Sequence, residues 1–272
     1  MNWTKVKVIL ILLFACVNVF LIFATFFPDN DEGISHAAVD NTVQILQKRG
    51  VKVVPEKIET HLFEMNAIDV RNIANINSDF IKNLEGGGWD SEGDNVYVRG
   101  NEWIIFDGYL FDYDNQNPQA QSASESDLYN SAILELRDLG FVTDDMKPLD
   151  TRETDGDFIL RIGQINGGYF MFDSVLEITL RDGAIINING CWNEVAEVLP
   201  LNGKIEGSVK ALIEFTTDPK RTEDDNEIVS VTAGYKISDA ADYEKNIEIQ
   251  MLPTWRIVTN AGNAFYYDAR AK

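Results

Sequence analysis

Residues 158–193, FILRIGQINGGYFMFDSVLEITLRDGAIININGCWN, decide how this chain folds. Phe158, Leu160 and Ile162 alternate with Ile159 and Arg161, the two-residue period of a strand with one buried face. Asn166-Gly167 marks a tight hairpin turn, since these residues tolerate the left-handed backbone that such turns require. Beyond it Phe170, Phe172, Leu176, Ile178 and Leu180 keep one face apolar, while Asp173, Glu177 and Arg181 fall on the other. Asp182-Gly183 turns the chain again, and it returns through Ile186 and Ile188. Strands joined by turns this short run antiparallel. The stretch reads as a meander.

A helix precedes it. Ser124 starts this helix, with Asp127 three residues on in capping-box-like spacing, and Gly140 ends it. Leu128, Ala132, Leu136 and Leu139 form its apolar stripe. The same order recurs downstream. A helix from about Ile205 to Phe215, with Val209, Leu212 and Ile213 inward, leads to alternating Val229, Val231, Ala233, Tyr235 and Ile237. Ile247, Ile249 and Met251 follow, and strands around Asn260-Ala261-Gly262 finish the chain. Helices segregated from antiparallel strands define an α+β class, each sheet expected to pack one face on its helix.

Nearer the start, Ser35 caps a helix running to about Arg49, and Gly50 stops it. Val51–Val54 and Lys57–Met65 read as short strands, and Asn77 or Ser78 opens a helix carrying Phe80, Ile81 and Leu84. Trp89–Val98 and Asn101–Tyr113 read as a hairpin around Arg99-Gly100. The polar run 114–123, DNQNPQAQSA, is the best linker. The expected organisation is therefore 1–28 as stub and anchor, 29–120 as a first lobe, and 121–272 as a second lobe of two helix-plus-meander units.

The anchor is residues 8–27, VILILLFACVNVFLIFATFF, which hold no charge. About twenty helical residues span roughly 30 Å, the hydrocarbon thickness of a bilayer. Lys5 and Lys7 precede the run, and Asp29, Asp31 and Glu32 follow it, so the N-terminus is expected in the cytoplasm and the rest outside. A cleaved signal peptide would want small residues where Thr25-Phe26-Phe27-Pro28 stands. A lipoprotein cysteine would end the apolar run, whereas eleven mostly apolar residues follow Cys16. Ala15, Asn18, Ile22 and Thr25, spaced three, four and three, share one helical face. Small residues there permit close helix approach and an amide can hydrogen-bond across helices, so this face is the expected partner-binding site.

The chain has 23 basic and 44 acidic residues, a net charge of −21, and both lysines ahead of the span are among the basic ones. Such a surface repels nucleic acid and anionic headgroups and argues against phosphate-rich ligands. Cys191 is the one cysteine beyond the span, so the exported part forms no internal disulfide and relies on its apolar core.

A search for catalytic chemistry finds little. His36 and His61 share no helical face with a second ligand at metal spacing, and there is no G-x-S-x-G elbow. No lysine-serine pair follows Gly86-Gly87-Gly88 to make a phosphate cradle. Asp90, Glu92 and Asp94 begin like a calcium loop, but Asn95 and Asn101 stand where glycine and glutamate belong. The acidic run Glu223–Glu227 reads as a solvated loop tip. Trp255, Tyr266, Tyr267, Trp192 and Phe172 alternate as core residues do, which disfavours a carbohydrate platform. No cofactor, metal or catalytic activity is expected.

Layout and local pattern resemble the YycI family, membrane-anchored accessory proteins of the WalK/WalR (YycG/YycF) two-component system. The resemblance lies in Asn2-Trp3-Thr4-Lys5 running into the span with Asn18-Val19-Phe20-Leu21, in NGGYFMFDSVLEITLRDGAI at 166–185, and in Cys191-Trp192. VTAGYKI at 231–237, LPTWRIV at 252–258 and Tyr266-Tyr267-Asp268-Ala269 complete it. It implies a single-pass protein with an extracytoplasmic α+β domain related to YycH. It also implies a non-catalytic role, modulating the sensor kinase WalK together with YycH through membrane-helix contacts. The competing expectations are an anchored domain that binds a wall fragment or peptide, and a membrane-tethered hydrolase with two carboxyl groups in a cleft.

Overall fold

The computed structural model describes residues 14, 17, 35–59, 64–93, 95–119, 128–200, 205–238 and 249–270. Its helices are α1 (His36–Lys48), α2 (Asp79–Gly86), α3 (Leu128–Asp138) and α4 (Ser208–Phe215). Its strands begin with β1 (Ala67–Asn72), β2 (Asp90–Ser91), β3 (Val96–Arg99), β4 (Glu102–Asp107) and β5 (Leu110–Asn115). β6 (Met146–Thr154), β7 (Asp157–Asn166), β8 (Tyr169–Arg181), β9 (Ala184–Cys191) and β10 (Asn193–Leu199) follow. β11 (Ile228–Ile237), β12 (Ile249–Thr259) and β13 (Ala264–Asp268) complete the set. The class is mixed, mostly β with few helices.

The meander forms as its alternation requires, with β6 to β9 running antiparallel in order. Its first turn is Gly167-Gly168, flanked by the pair Asn166 and Tyr169, and both glycines have positive φ. Asp182 and Gly183 turn the chain between Arg181 and Ala184 in the same left-handed way. The second unit repeats the plan: α4 precedes β11, β12 and β13, again antiparallel neighbours. Ser35 and Ser78 cap α1 and α2, their hydroxyls accepting from Ala38 N and Ile81 N.

The two units share one sheet. Its order is β10-β1-β12-β11-β8-β9-β5-β4-β3-β2, with β13 beside β12 and β6 beside β7. The join is a short parallel contact in which Gly234 and Tyr235 of β11 meet Phe170 and Met171 of β8. β8 thus serves both halves. Met171 lies in a core with α1 and α4 residues such as Leu46, Leu212 and Phe215. Leu176, Ile178 and Leu180 lie in a second core with Phe80, Leu84, Ala132 and Leu136 of α2 and α3. Between them β8 carries extra residues opposite the Gly163/Gln164 step of β7, a bulge that lets one strand feed two cores.

Several local expectations change. Asn101–Tyr113 is two strands, β4 and β5, because Gly108 (φ 62°) reverses the chain. Val51–Val54 makes a single bridge, Lys52 to Glu227, and Pro55, lacking an N–H, starts a 3-10 turn at Pro55–Lys57 instead of a strand. On α4 Leu212 is buried as expected and Phe215 is buried with it, while Ile213 is exposed. Of the five aromatics read as core, Trp192, Trp255 and Tyr267 are buried, but Phe172 is half-buried and Tyr266 exposed. The position proposed as a lobe boundary, residue 120, begins a segment outside the described residues, as does the capping pair Ser124 and Asp127.

Among the described residues no helix is long and apolar enough to cross a membrane. The expected span 8–27 lies outside them apart from Phe14 and Val17, both helical.

Candidate functional site

Ala15, Asn18, Ile22 and Thr25, the face expected to bind a partner, all lie outside the described residues. The same holds for His61 and Asp94. Among the described residues, no group of three or more His, Cys, Asp or Glu is placed to hold a metal ion. The candidate site therefore comes from the fold, at the seam where the two halves of the sheet meet.

The seam is built on amides. The chain passes from β9 to β10 at Trp192, leaving the first half of the sheet for the second. Asn193, fully buried, donates from Nδ2 to Ser174 Oγ at 2.6 Å. Gln164, also buried, behaves toward Asn193 as a strand backbone would. Its Nε2 donates to the Asn193 carbonyl at 2.6 Å, and its Oε1 accepts from Asn193 N at 3.4 Å. Gln164 takes this place because the β7 register breaks beside it, leaving backbone groups that a side-chain amide completes. Across the seam, Asn72 Nδ2 donates to the carbonyls of Trp192 (3.2 Å) and Tyr109 (3.1 Å), and Asn72 Oδ1 accepts from Ala74 N at 2.8 Å. A buried network this well satisfied fixes one arrangement of its parts.

Beside the network opens a cleft of about 560 Å³. Its floor is Phe80, Phe141 and Trp192, with ring centroids 4.7 Å apart for Phe80 and Phe141 and 6.2 Å for Phe141 and Trp192. Its rim carries Arg71, Asp145, Glu194 and the exposed Val142. Asp145 Oδ2 accepts from Gln164 Nε2 at 2.7 Å. Burial raises the Asp145 carboxyl above its ordinary range, and the Gln164 bond only partly opposes that. Glu194 stays useful for another reason: its oxygens accept from Asp79 N (3.0 Å) and Phe80 N (2.9 Å), placing negative charge on the α2 N-terminus. An apolar floor under a few polar groups is the usual form of a small-ligand cleft.

Sequence reasoning missed Asn72, Gln164 and Asn193. The available signal was an amide interrupting an apolar strand, as Gln164 does between Gly163 and Ile165. The missing knowledge was that β9 and β10 part company at Trp192.

No protein-family model matches the chain, and no curated protein sequence does. Among solved structures, a protein from Eubacterium rectale is similar with a TM-score of 0.47 at 13% identity, over 81% of this chain and 88% of that one. YycH from Bacillus subtilis is similar with a TM-score of 0.48 at 10% identity, over 76% of this chain; the match spans 54% of that chain. The C-terminal domain of YpeB from Bacillus megaterium gives a TM-score of 0.36 at 10% identity, over 88% and 94%.

Proposed function

We propose that this chain is a non-catalytic regulator of a membrane sensor histidine kinase of the WalK (YycG) type, acting with a YycH-like protein. In this reading residues 8–27 form a single span, the N-terminus is cytoplasmic and the sheet lies outside. One observation supports it most. Four of the segments that resemble the YycI family, 166–185, 191–192, 231–237 and 252–258, fall on or directly beside β8, β9, β11 and β12, adjacent strands in the middle of the sheet, and a further one, 266–269, lies on β13 beside β12. Polar residues of those segments bond to each other there. Asp173 accepts from Lys236 Nζ (2.5 Å) and Ile237 N (2.8 Å), across the β8–β11 join. What resembles the family is thus the part that fixes how the halves sit together, as suits a protein that works by contact.

The tether sharpens the reading. Seven residues, 28–34, separate the apolar run from Ser35, and a chain reaches at most about 3.5 Å per residue. The start of α1 then lies within about 25–30 Å of the span, close enough for the second half of the sheet to meet membrane-proximal parts of a kinase. Co-purification tests this. The kinase should accompany the wild-type chain and be lost or strongly reduced with Asn18→Leu. Unchanged association together with unchanged target-gene output in that variant would remove the proposed membrane face.

A further inference from the structure

Among the described residues, the second half of the sheet has one face on α1 and α4 and one without a helix. On the helix side, cross-strand neighbours Ala233, Trp255 and Tyr267 contribute to the core. One residue along, Thr232, Arg256 and Tyr266 are cross-strand neighbours on the opposite face, a row across β11, β12 and β13. Phe172 of β8 reaches the same face. It lies against Gly234, where a Cβ would collide with the Phe172 ring and the Phe170 carbonyl, so only glycine admits the ring.

The Arg256 guanidinium sits over that ring, 4.7 Å from its centroid. Tyr266 meets Phe172 at 5.6 Å, and Lys236 lies 4.4 Å from the centre of the Tyr266 ring. The cations differ in one respect. Lys236 is paired with Asp173, and Arg270, Arg161 and Arg181 each hold an aspartate. Arg256 makes no ion pair or hydrogen bond among the described residues, and its Nε is buried without a partner. Thr232 Oγ1, directly opposite, is also buried without one. Arg137 and Arg221 also bond to no carboxylate among the described residues, but they bond to Thr143 Oγ1 and the Asp225 carbonyl, whereas Arg256 has only the ring it lies on.

We propose that Arg256 binds the carboxylate of a small acidic ligand on this open face, with the exposed Tyr266 hydroxyl beside it. The chemistry follows from the stacking. A guanidinium lying on an aromatic ring keeps its N–H groups in plane, and that fork matches a carboxylate's two oxygens. Phe172, pinned by Gly234, fixes the plane of the fork before a ligand arrives. The Tyr266 hydroxyl suits a ligand that carries hydroxyls of its own, as an acidic sugar does. A net charge of −21 opposes a doubly charged phosphate more than a singly charged carboxylate, which selects the latter. Tyr266 also lines a neighbouring depression of about 730 Å³ with Lys236, Asp218 and Asp268, of which Arg256 and Phe172 form no part. This site stands apart from the kinase reading and holds or fails without it.

The test is calorimetric titration of the full chain in detergent micelles at fixed ionic strength. The probes are D-glucuronate, cyclohexanecarboxylate, D-glucose and glucose 6-phosphate. Saturable binding of glucuronate is expected, weaker binding of cyclohexanecarboxylate, and none of glucose. Arg256→Gln should weaken glucuronate at least about tenfold, the usual loss for a charged hydrogen-bond pair. Arg256→Lys, which keeps the charge but not the fork, should weaken it severalfold. Tyr266→Phe, which spares the guanidinium, should reduce glucuronate but not cyclohexanecarboxylate, and it serves as the test if Arg256→Gln does not fold. The proposal is overturned if neither carboxylate binds, if glucose binds as well as glucuronate, if glucose 6-phosphate binds more tightly, or if a folded Arg256→Gln protein binds unchanged.

Discussion

Each half of the sheet holds an enclosed aspartate, and the two are treated in opposite ways. Asp225, fully buried in the loop before β11, accepts from Thr259 Oγ1 (2.6 Å), Asn263 Nδ2, Thr222 N and Thr222 Oγ1 (each 2.9 Å). Burial alone would raise its carboxyl, but these donors hold it well below the usual carboxylate range. Asp145, at the seam cleft, has one side-chain donor, Gln164, and its carboxyl is raised. Burial pushes both carboxyls up; what separates them is the side-chain and backbone donors turned toward Asp225, which outweigh burial there and do not at Asp145. Asp225 staples the α4–β11 loop to the β12–β13 hairpin. Asp145 borders a cleft and is left incompletely served.

Changing the two aspartates should therefore have opposite signs. Asp225→Ala leaves four donors without an acceptor in a buried place and should cost about 3 kcal/mol in equilibrium denaturation. The sign with pH follows. A carboxyl lowered by folding stabilises the fold above the ordinary carboxylate range, and this contribution is lost as pH falls through and below that range. The acid side of the wild-type stability profile should flatten in Asp225→Ala. A variant as stable as wild type would mean that the loop does not depend on the staple.

The seam comes next in size. Asn193→Ala removes the partner of Ser174 inside a buried network and should cost about 1–3 kcal/mol, with loss of protection from amide exchange in both β8 and β10. Asp145→Asn should act the other way. A carboxyl raised by folding favours the fold below its unfolded pKa, and that advantage disappears as pH rises through the folded value. At neutral pH the amide removes the cost of burying charge, so the variant should melt slightly higher than wild type and lose that advantage in acid. A lower melting temperature at pH 7 would show that the charged form is needed. Smallest of all, Glu194→Gln at the α2 N-terminus should cost about 0.3–1 kcal/mol at low salt and less at high salt.

Much of the fold was legible because it rests on local rules. The meander follows from the alternation at 158–188 and from glycines that allow left-handed turns. The caps of α1 and α2 follow from Ser35 and Ser78. What stayed hidden depends on contacts distant in sequence. Nothing local says that β11 pairs in parallel with β8, that one strand feeds two cores through a bulge, or that Gly234 makes room for Phe172. The candidate sites suffered most. Gln164 and Asn193 meet because β9 and β10 belong to different halves, and Tyr266 looked like core because alternation does not say which face a helix covers. The expected contact face Ala15, Asn18, Ile22 and Thr25 rests on helical spacing and on the family resemblance.

The regulatory reading turns on that face. Its most direct test is crosslinking in cells from single positions along 8–25 of the full chain, with each captured partner identified by mass. Capture of a sensor histidine kinase from positions 15, 18, 22 and 25, and little from positions on the opposite side of the helix, is the predicted result. Absence of any kinase at every position, or capture that ignores the helical face, would contradict it.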